Sequence, residues 1–145
     1  MIQAYLENEA ATVAYAQKLA SQIKPGQVIA LSGELGAGKS VFARSLMRAL
    51  NVTDEALPSP TFALIQTYDG KTCEGKDCQV AHMDWYRLDE SSEIEMLGVR
   101  DYFEPPWITI IEWPERAPTL LPSGAIQIKI KTDPKNFEQR FISIT

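Results

Sequence analysis

The sequence predicts an α/β domain of three layers, with helices on both faces of a mixed parallel and antiparallel sheet. Two short apolar runs, 28–32 and 107–112, are rich in β-branched residues and are typical of buried central strands. A third run, 125–131, alternates apolar and charged residues, so one of its faces should meet solvent. Helical segments lie between these runs. This order predicts parallel strands at the centre of the sheet and antiparallel strands toward its edges.

The first elements are a strand at 2–6 and a helix that follows it. Asn8 or Thr12 is the cap residue of this helix, which runs to about Gln22 with apolar residues at helical spacing. The sequence Lys-Pro-Gly at 24–26 ends the helix and turns the chain toward the buried strand.

The middle of the chain predicts a helix and a hairpin. The segment 41–50 is amphipathic, and a polar connection with two prolines follows it at 51–61. Two strands, 63–68 and 79–84, are then joined by a Gly-containing turn, which is typical of a hairpin.

The last third predicts a short helix and three strands. Gly98 ends the helix at 90–97, and the buried strand 107–112 follows. The alternating strand 125–131 turns at Asp133-Pro134 into an antiparallel partner at 141–144.

A phosphate-binding loop stands between the buried strand 28–32 and the helix 41–50. Residues 33–40 read Gly-Glu-Leu-Gly-Ala-Gly-Lys-Ser, a full match to G-x-x-x-x-G-K-[S/T], which indicates a P-loop NTPase-like domain. In such a loop the Lys39 ammonium reaches the β- and γ-phosphates, and the Ser40 hydroxyl ligates Mg²⁺. The residues predicted to bind the nucleotide from this segment are Gly33, Glu34, Leu35, Gly36, Ala37, Gly38, Lys39, Ser40 and Val41.

Two carboxylates are candidates to complete a hydrolytic site. Asp84 and Glu112 each close an apolar strand, and ligands of α/β sheets collect at the carboxyl ends of strands. Hydrolysis needs a carboxylate on Mg²⁺ and a group that orients or deprotonates water. Thr61 is either a switch residue near the γ-phosphate or part of a locally hydrogen-bonded turn. His82 lies two residues before Asp84 and is more typical of a structural histidine.

Composition limits the other possibilities. The 145 residues suffice for a single domain, 1–145, and no apolar run or leader sequence indicates a membrane span or export, so a cytoplasmic protein is expected. A net charge of −5 disfavours direct binding to a phosphate backbone. Cys73 and Cys78 predict two thiols in an exposed hairpin; zinc binding with His82, or a disulfide, is the alternative.

Four segments together resemble the TsaE (YjeE) family, the small bacterial ATPase of tRNA threonylcarbamoyladenosine (t6A) biosynthesis. They are the phosphate loop 33–40, Ser-Pro-Thr-Phe at 59–62, His-Met-Asp-Trp-Tyr-Arg-Leu at 82–88, and Ile-Glu-Trp at 111–113. The resemblance implies a Mg²⁺-dependent ATPase that is weak alone and acts with TsaD and TsaB. In that family these partners transfer the threonylcarbamoyl group, so tRNA would be bound only through them.

The resemblance also implies roles for individual residues. Ser40 and Glu112 match the Mg²⁺ ligands, and Asp84 matches the residue that orients or activates water. Thr61 matches a switch-like threonine, and Trp113 matches the tryptophan beside the metal acid. The stretch that ends at Thr12 corresponds to the place where the family packs the adenine base.

Two other classes of function share the phosphate loop. A small-molecule kinase usually has an Arg-rich lid, whereas residues 85–104 contain only Arg87 and Arg100. A nucleotide-gated interaction protein would bind ATP and scarcely hydrolyse it. The presence of both Asp84 and Glu112 favours hydrolysis.

Overall fold

The computed structural model describes residues 2–34, 36–58, 60, 64–88 and 91–145. Three α-helices and seven strands lie in this part of the chain. In chain order they are β1 Ile2–Leu6, α1 Glu9–Ala20, β2 Val28–Ser32, α2 Lys39–Ala49, β3 Ile65–Lys71, β4 Asp77–Asp84, α3 Ser91–Met96, β5 Trp107–Glu112, β6 Ile126–Asp133 and β7 Asn136–Ile144. None of the described helices is long and apolar enough to cross a membrane.

The strands form one mixed sheet in the order β1-β7-β6-β2-β5-β4-β3. The four central strands, β6, β2, β5 and β4, run parallel, whereas β1, β7 and β3 pair antiparallel at the two edges. The predicted fold class is therefore confirmed. Because β2, β5 and β4 are parallel neighbours, their carboxyl ends lie side by side, next to the phosphate loop that follows β2.

Two apolar cores lie on opposite faces of the sheet. On one face α1 and α2 pack against β2, β5 and β6, with Phe42, Leu46 and Met47 fully buried. On the other face α3 and the following turns cover β2, β5 and β4 around the buried Trp85 and Ile94. Burial on both faces explains why β2 and β5 are continuous apolar runs.

Asn8 rather than Thr12 caps α1. The Asn8 side-chain oxygen accepts a hydrogen bond from the backbone N–H of Ala11 at 2.9 Å. Thr12 lies inside the helix, where it is buried and its hydroxyl donates to the Asn8 carbonyl at 3.3 Å. The helix ends at Ala20, two residues before the predicted end.

The two antiparallel hairpins are longer than predicted. β3 continues through Asp69, Gly70 and Lys71, and β7 begins at Asn136 instead of 141. A glycine is needed at position 70 of this strand because the carboxyl end of α2 approaches it closely: a Cβ there would lie 2.7 Å from the Leu50 carbonyl oxygen. The expectation that both thiols of the hairpin are exposed is wrong for Cys78, which lies within β4 and is buried.

Candidate nucleotide-binding and catalytic site

The phosphate loop leaves β2 and enters α2 through glycines in conformations that other residues avoid. Gly33 has φ +153°, and a Cβ on it would lie 2.5 Å from the Ile130 carbonyl oxygen of β6. Gly38, the residue before α2, has φ +101° and therefore lies in the left-handed region. The first glycine is thus required by close packing against β6, and the third by backbone conformation.

The start of α2 presents unpaired donors to this loop. No acceptor among the described residues takes the backbone N–H of Ser40 or Val41, and the glycine at the cap position supplies no side-chain acceptor. Unpaired N–H groups and the helix dipole together favour an anion at this position. Phosphate oxygens have the right charge and hydrogen-bonding capacity for it.

The Lys39 side chain is buried at the same place. Its Nζ donates to the Gly33 carbonyl at 2.5 Å and lies 3.3 Å from the centroid of the Trp113 ring. Burial lowers the pKa of Lys39, whereas the nearby carboxylates of Glu112, Glu115 and Asp84 raise it. An ammonium has three N–H donors, so two remain for oxygens of a ligand.

Glu112 is held between two side chains at the end of β5. The Ser40 hydroxyl donates to Oε1 at 3.4 Å, and His82 Nε2 donates to Oε2 at 2.6 Å. Glu112 and His82 are both almost fully buried. Because His82 occupies one oxygen of Glu112, the other oxygen is directed to Ser40 at the start of α2.

Asp84 ends β4 directly beside Glu112, its partner in the parallel register. Its Oδ1 accepts the backbone N–H of Tyr86 at 2.8 Å, which fixes the carboxyl group. Burial raises the pKa of Asp84, and the charge of Glu112 adds to this, while the Tyr86 N–H, His82 and Lys39 oppose it. The two carboxyl groups therefore differ in environment although they are neighbours.

Asp84→Asn should raise the melting temperature of the ligand-free protein at pH 7 by about 2–4 °C, equivalent to about 1 kcal/mol for a domain of this size. A carboxyl whose folded pKa lies above its unfolded value destabilises the fold once it ionises, and asparagine keeps the acceptor for Tyr86. The gain should shrink as the pH falls toward the ordinary aspartate pKa of 3.8. Thermal melts between pH 4 and 8 measure it, and an unchanged or lower melting temperature at pH 7 contradicts it.

Trp113 follows Glu112 and lines the same cavity as Asp84. It has φ +60°, a left-handed conformation that turns the chain sharply after Glu112. Its ring lies 4.7 Å from the Tyr86 ring, and Lys39 lies over its face. The backbone turn thus places an aromatic wall beside the buried lysine.

Two cavities meet at the phosphate loop. The strand-end cavity, of about 440 Å³, is lined by Lys39, Ser40, Asp84 and Glu112 together with Trp113. The α1 cavity, of about 420 Å³, lies between α1 and β7, and the residues that line it include Thr12, Val41 and Phe137. The space along the loop therefore has a charged end at the strand termini and a second end at α1.

Comparison with known proteins establishes the family. The model of the family described as threonylcarbamoyl adenosine biosynthesis protein TsaE matches residues 6–142, which include every residue of the site. The chain belongs to the TsaE family.

Individual TsaE relatives are similar over most of their length. A Rickettsia bellii protein named tRNA threonylcarbamoyladenosine biosynthesis protein TsaE is 35% identical over 129 residues, 89% of this chain and 85% of its own. A Synechocystis protein of the same name is 40% identical over 120 residues, 80% of this chain and 72% of its own. The crystal structure of Bacillus subtilis YdiB superposes with a TM-score of 0.78 at 29% identity, covering 99% of this chain and 83% of that one.

Most of the site residues predicted for this TsaE-family chain lie together. Gly36, Gly38, Lys39, Ser40 and Val41 line the strand-end cavity with Asp84 and Glu112. Glu34 instead lines a separate cavity of about 750 Å³ on the β6 side of the loop, with Gly33 and Ala37. Leu35 and Thr61 lie outside the described residues, so their predicted roles remain predictions.

Two residues of the site were not predicted from the sequence. His82, expected to be structural, contacts Glu112, and its Nδ1 has no hydrogen-bond partner among the described residues. Arg140, on β7, donates through Nε to the Ala37 carbonyl of the phosphate loop at 2.8 Å. The spacing of His82 and Asp84 signalled a shared strand face, whereas nothing local to Arg140 indicated its contact.

The cysteines do not form a metal site with His82. Cys73 and Cys78 are free thiols, and within the described segments no three His, Cys, Asp or Glu side chains are grouped as metal ligands. His82 is hydrogen-bonded to Glu112 near the carboxyl end of β4, whereas Cys78 lies near the start of that strand. The alternative of zinc binding by these three residues is therefore wrong.

Proposed function

We propose that the protein is a cytoplasmic, Mg²⁺-dependent ATPase of t6A biosynthesis that acts with TsaD and TsaB and is weakly active alone. The observation that carries the proposal is the meeting of Lys39, Ser40, Asp84 and Glu112 around one cavity. The family description and the names of the relatives support the connection to t6A. The net charge of −5 favours contact with tRNA only through the partner proteins.

The loop and the lysine would bind the triphosphate. The unpaired N–H groups of Ser40 and Val41 suit the α- and β-phosphates, and Lys39 has two donors for the β- and γ-phosphates. Thr12 and the rest of the α1 cavity would then receive the adenine base. Thr61 is proposed as the switch residue near the γ-phosphate.

Ser40 and Glu112 fit a Mg²⁺ ion. Adjacent ligands of an octahedral Mg²⁺ lie about 3 Å apart, and the Ser40 and Glu112 oxygens are separated by 3.4 Å. A small hard cation of this kind takes one or two protein oxygens and completes its shell with phosphate and water, so no larger cluster of carboxylates is needed. When bound, Mg²⁺ would neutralise charge on the phosphates.

Asp84 would orient and deprotonate the attacking water. Asp84 lies beside Glu112 in the sheet, but in the described part of the chain it is Glu112 and not Asp84 that is hydrogen-bonded to Ser40. The Asp84 carboxylate is therefore available to bind the attacking water. A general base works best when its pKa is close to the working pH, and burial shifts the pKa of Asp84 in that direction. Water then attacks the γ-phosphorus, ADP leaves, and the water proton passes to Asp84.

Phosphate release from ATP, measured with and without TsaD and TsaB, tests the proposal. We expect slow release by the protein alone and faster release with its partners. Asp84→Ala should bind ATP with a dissociation constant within a few fold of wild type and lose turnover by about 100-fold. Asp77→Ala, an exposed carboxylate at the opposite end of β4, is the matched control and should be unchanged.

Two results would contradict the proposal. Unchanged turnover in Asp84→Ala would remove Asp84 from the mechanism. Stoichiometric transfer of phosphate to a nucleoside or sugar, assayed with a panel of acceptors, would favour the small-molecule kinase.

A further inference from the structure

Arg140 joins the strand β7 to the phosphate loop, 103 residues earlier in the chain. Its Nε donates to the Ala37 carbonyl at 2.8 Å. One terminal nitrogen donates to the carbonyls of Phe137 and, at 2.9 Å, Gln139. These bonds to backbone oxygens hold the half-buried guanidinium in one place at the rim of the loop.

The bond to Ala37 affects the anion-binding backbone. In an α-helix that began one turn earlier, the Val41 N–H would donate to the Ala37 carbonyl; here this carbonyl accepts from Arg140, and no bond from Val41 to it is formed. The Gly38 N–H belongs to the same planar trans peptide as this carbonyl and therefore points away from the guanidinium. Arg140 thus fixes the orientation of one loop peptide, next to a Val41 N–H that has no acceptor among the described residues.

Arg140 also lies where the two cavities meet. The α1 cavity and the strand-end cavity share Gly38, Val41 and Arg140 in their walls. Glu9 and Glu138 line the α1 cavity, but no carboxylate in the described part of the chain lies within 4.0 Å of the guanidinium as an ion pair. The positive charge of Arg140 is consequently available to an anion that runs between the cavities.

We propose that Arg140 is a nucleotide-binding residue that fixes the phosphate loop through Ala37 and places its guanidinium beside the α-phosphate. The backbone of a phosphate loop holds the α- and β-phosphates, and Lys39 lies toward the strand ends. The junction with the α1 cavity is then the position of the α-phosphate. This inference rests on the proposed function, because it takes the ligand to be ADP or ATP.

Calorimetric titration of Arg140→Gln with ADP and with ATP, in the presence of Mg²⁺, tests the inference. We expect both dissociation constants to rise by the same factor, roughly 10- to 100-fold, because the α-phosphate is common to the two nucleotides. Arg140→Lys keeps the charge and should recover part of the loss. Arg44→Gln removes an exposed arginine of α2 and should bind like wild type.

Phosphorus NMR separates a direct contact from a structural effect. In bound ADP the α-phosphorus resonance should shift between wild type and Arg140→Lys more than the β-phosphorus resonance does. A dissociation constant within twofold of wild type in Arg140→Gln, a loss confined to ATP, or an equal shift of both resonances would overturn the inference.

A measurement on the wild-type protein keeps the test valid if Arg140→Gln does not fold. ADP should slow the modification of Arg140 by phenylglyoxal, followed by mass spectrometry, and an unchanged rate overturns the inference. Failure of wild type to bind either nucleotide would instead refute the proposed function itself. Normal binding by wild type together with unaffected Arg140 variants refutes only the role of Arg140.

Discussion

Lys39→Ala should abolish productive ATP binding, with a dissociation constant at least about 100-fold above that of wild type. The substitution removes a buried ammonium that lines the strand-end cavity and has two donors left after its bond to the Gly33 carbonyl. Each hydrogen bond between charged groups contributes about 1.5–3 kcal/mol, so the loss of two accounts for a change of this size. Calorimetric titration with ATP and Mg²⁺ measures the constant, and phosphate release should fall to the background rate.

The control for Lys39→Ala must show that the fold survives. Lys18→Ala removes an exposed lysine from the last turn of α1 and should bind ATP normally. Circular dichroism and a thermal melt of Lys39→Ala establish that the protein is folded. A folded variant that binds ATP within threefold of wild type would refute the role of Lys39.

Glu112→Ala should raise the Mg²⁺ concentration needed for half-maximal ATP hydrolysis by at least about 10-fold. Loss of an orienting partner of a metal ligand alone costs about 10- to 100-fold in metal affinity, and loss of the ligand itself should cost no less. Glu112 is the carboxylate that contacts Ser40, and His82 holds it in that orientation. Glu112→Gln, which keeps the shape without the charge, should show an effect in the same direction.

A Mg²⁺ titration of phosphate release at saturating ATP measures this requirement. Glu104→Gln, an exposed carboxylate just before the other end of β5, is the matched control. An unchanged Mg²⁺ requirement in both Glu112 variants would show that another group holds the ion.

The central strands were predictable because they are covered by apolar side chains on both faces. β5 lies between two cores, to which it contributes four of its residues, and its predicted bounds 107–112 are confirmed. The start of β7 was not predictable, because residues 136–141 are polar or exposed and carry no alternating pattern. Its strand character comes from pairing with β6 and β1, which the local sequence does not encode.

The candidate site likewise has residues that the sequence predicted and contacts that it did not predict. The loop motif identified Lys39 and Ser40, and the rule about strand ends selected Asp84 and Glu112. The hydrogen bond between His82 and Glu112 depends on the parallel pairing of β4 with β5, which sequence alone does not give. The contact of Arg140 with the loop likewise depends on where β7 lies in the sheet.

The place of β1 in the sheet has a consequence for how the protein is made. Among the described strands β1 pairs with β7 alone, and Ile2 lies opposite Ile144, 142 positions later in the chain. During synthesis the earliest strand must therefore wait, unpaired, until the latest of the seven strands has emerged from the ribosome. Contacts so distant in sequence slow folding, and an unpaired strand invites association with other chains in the interval.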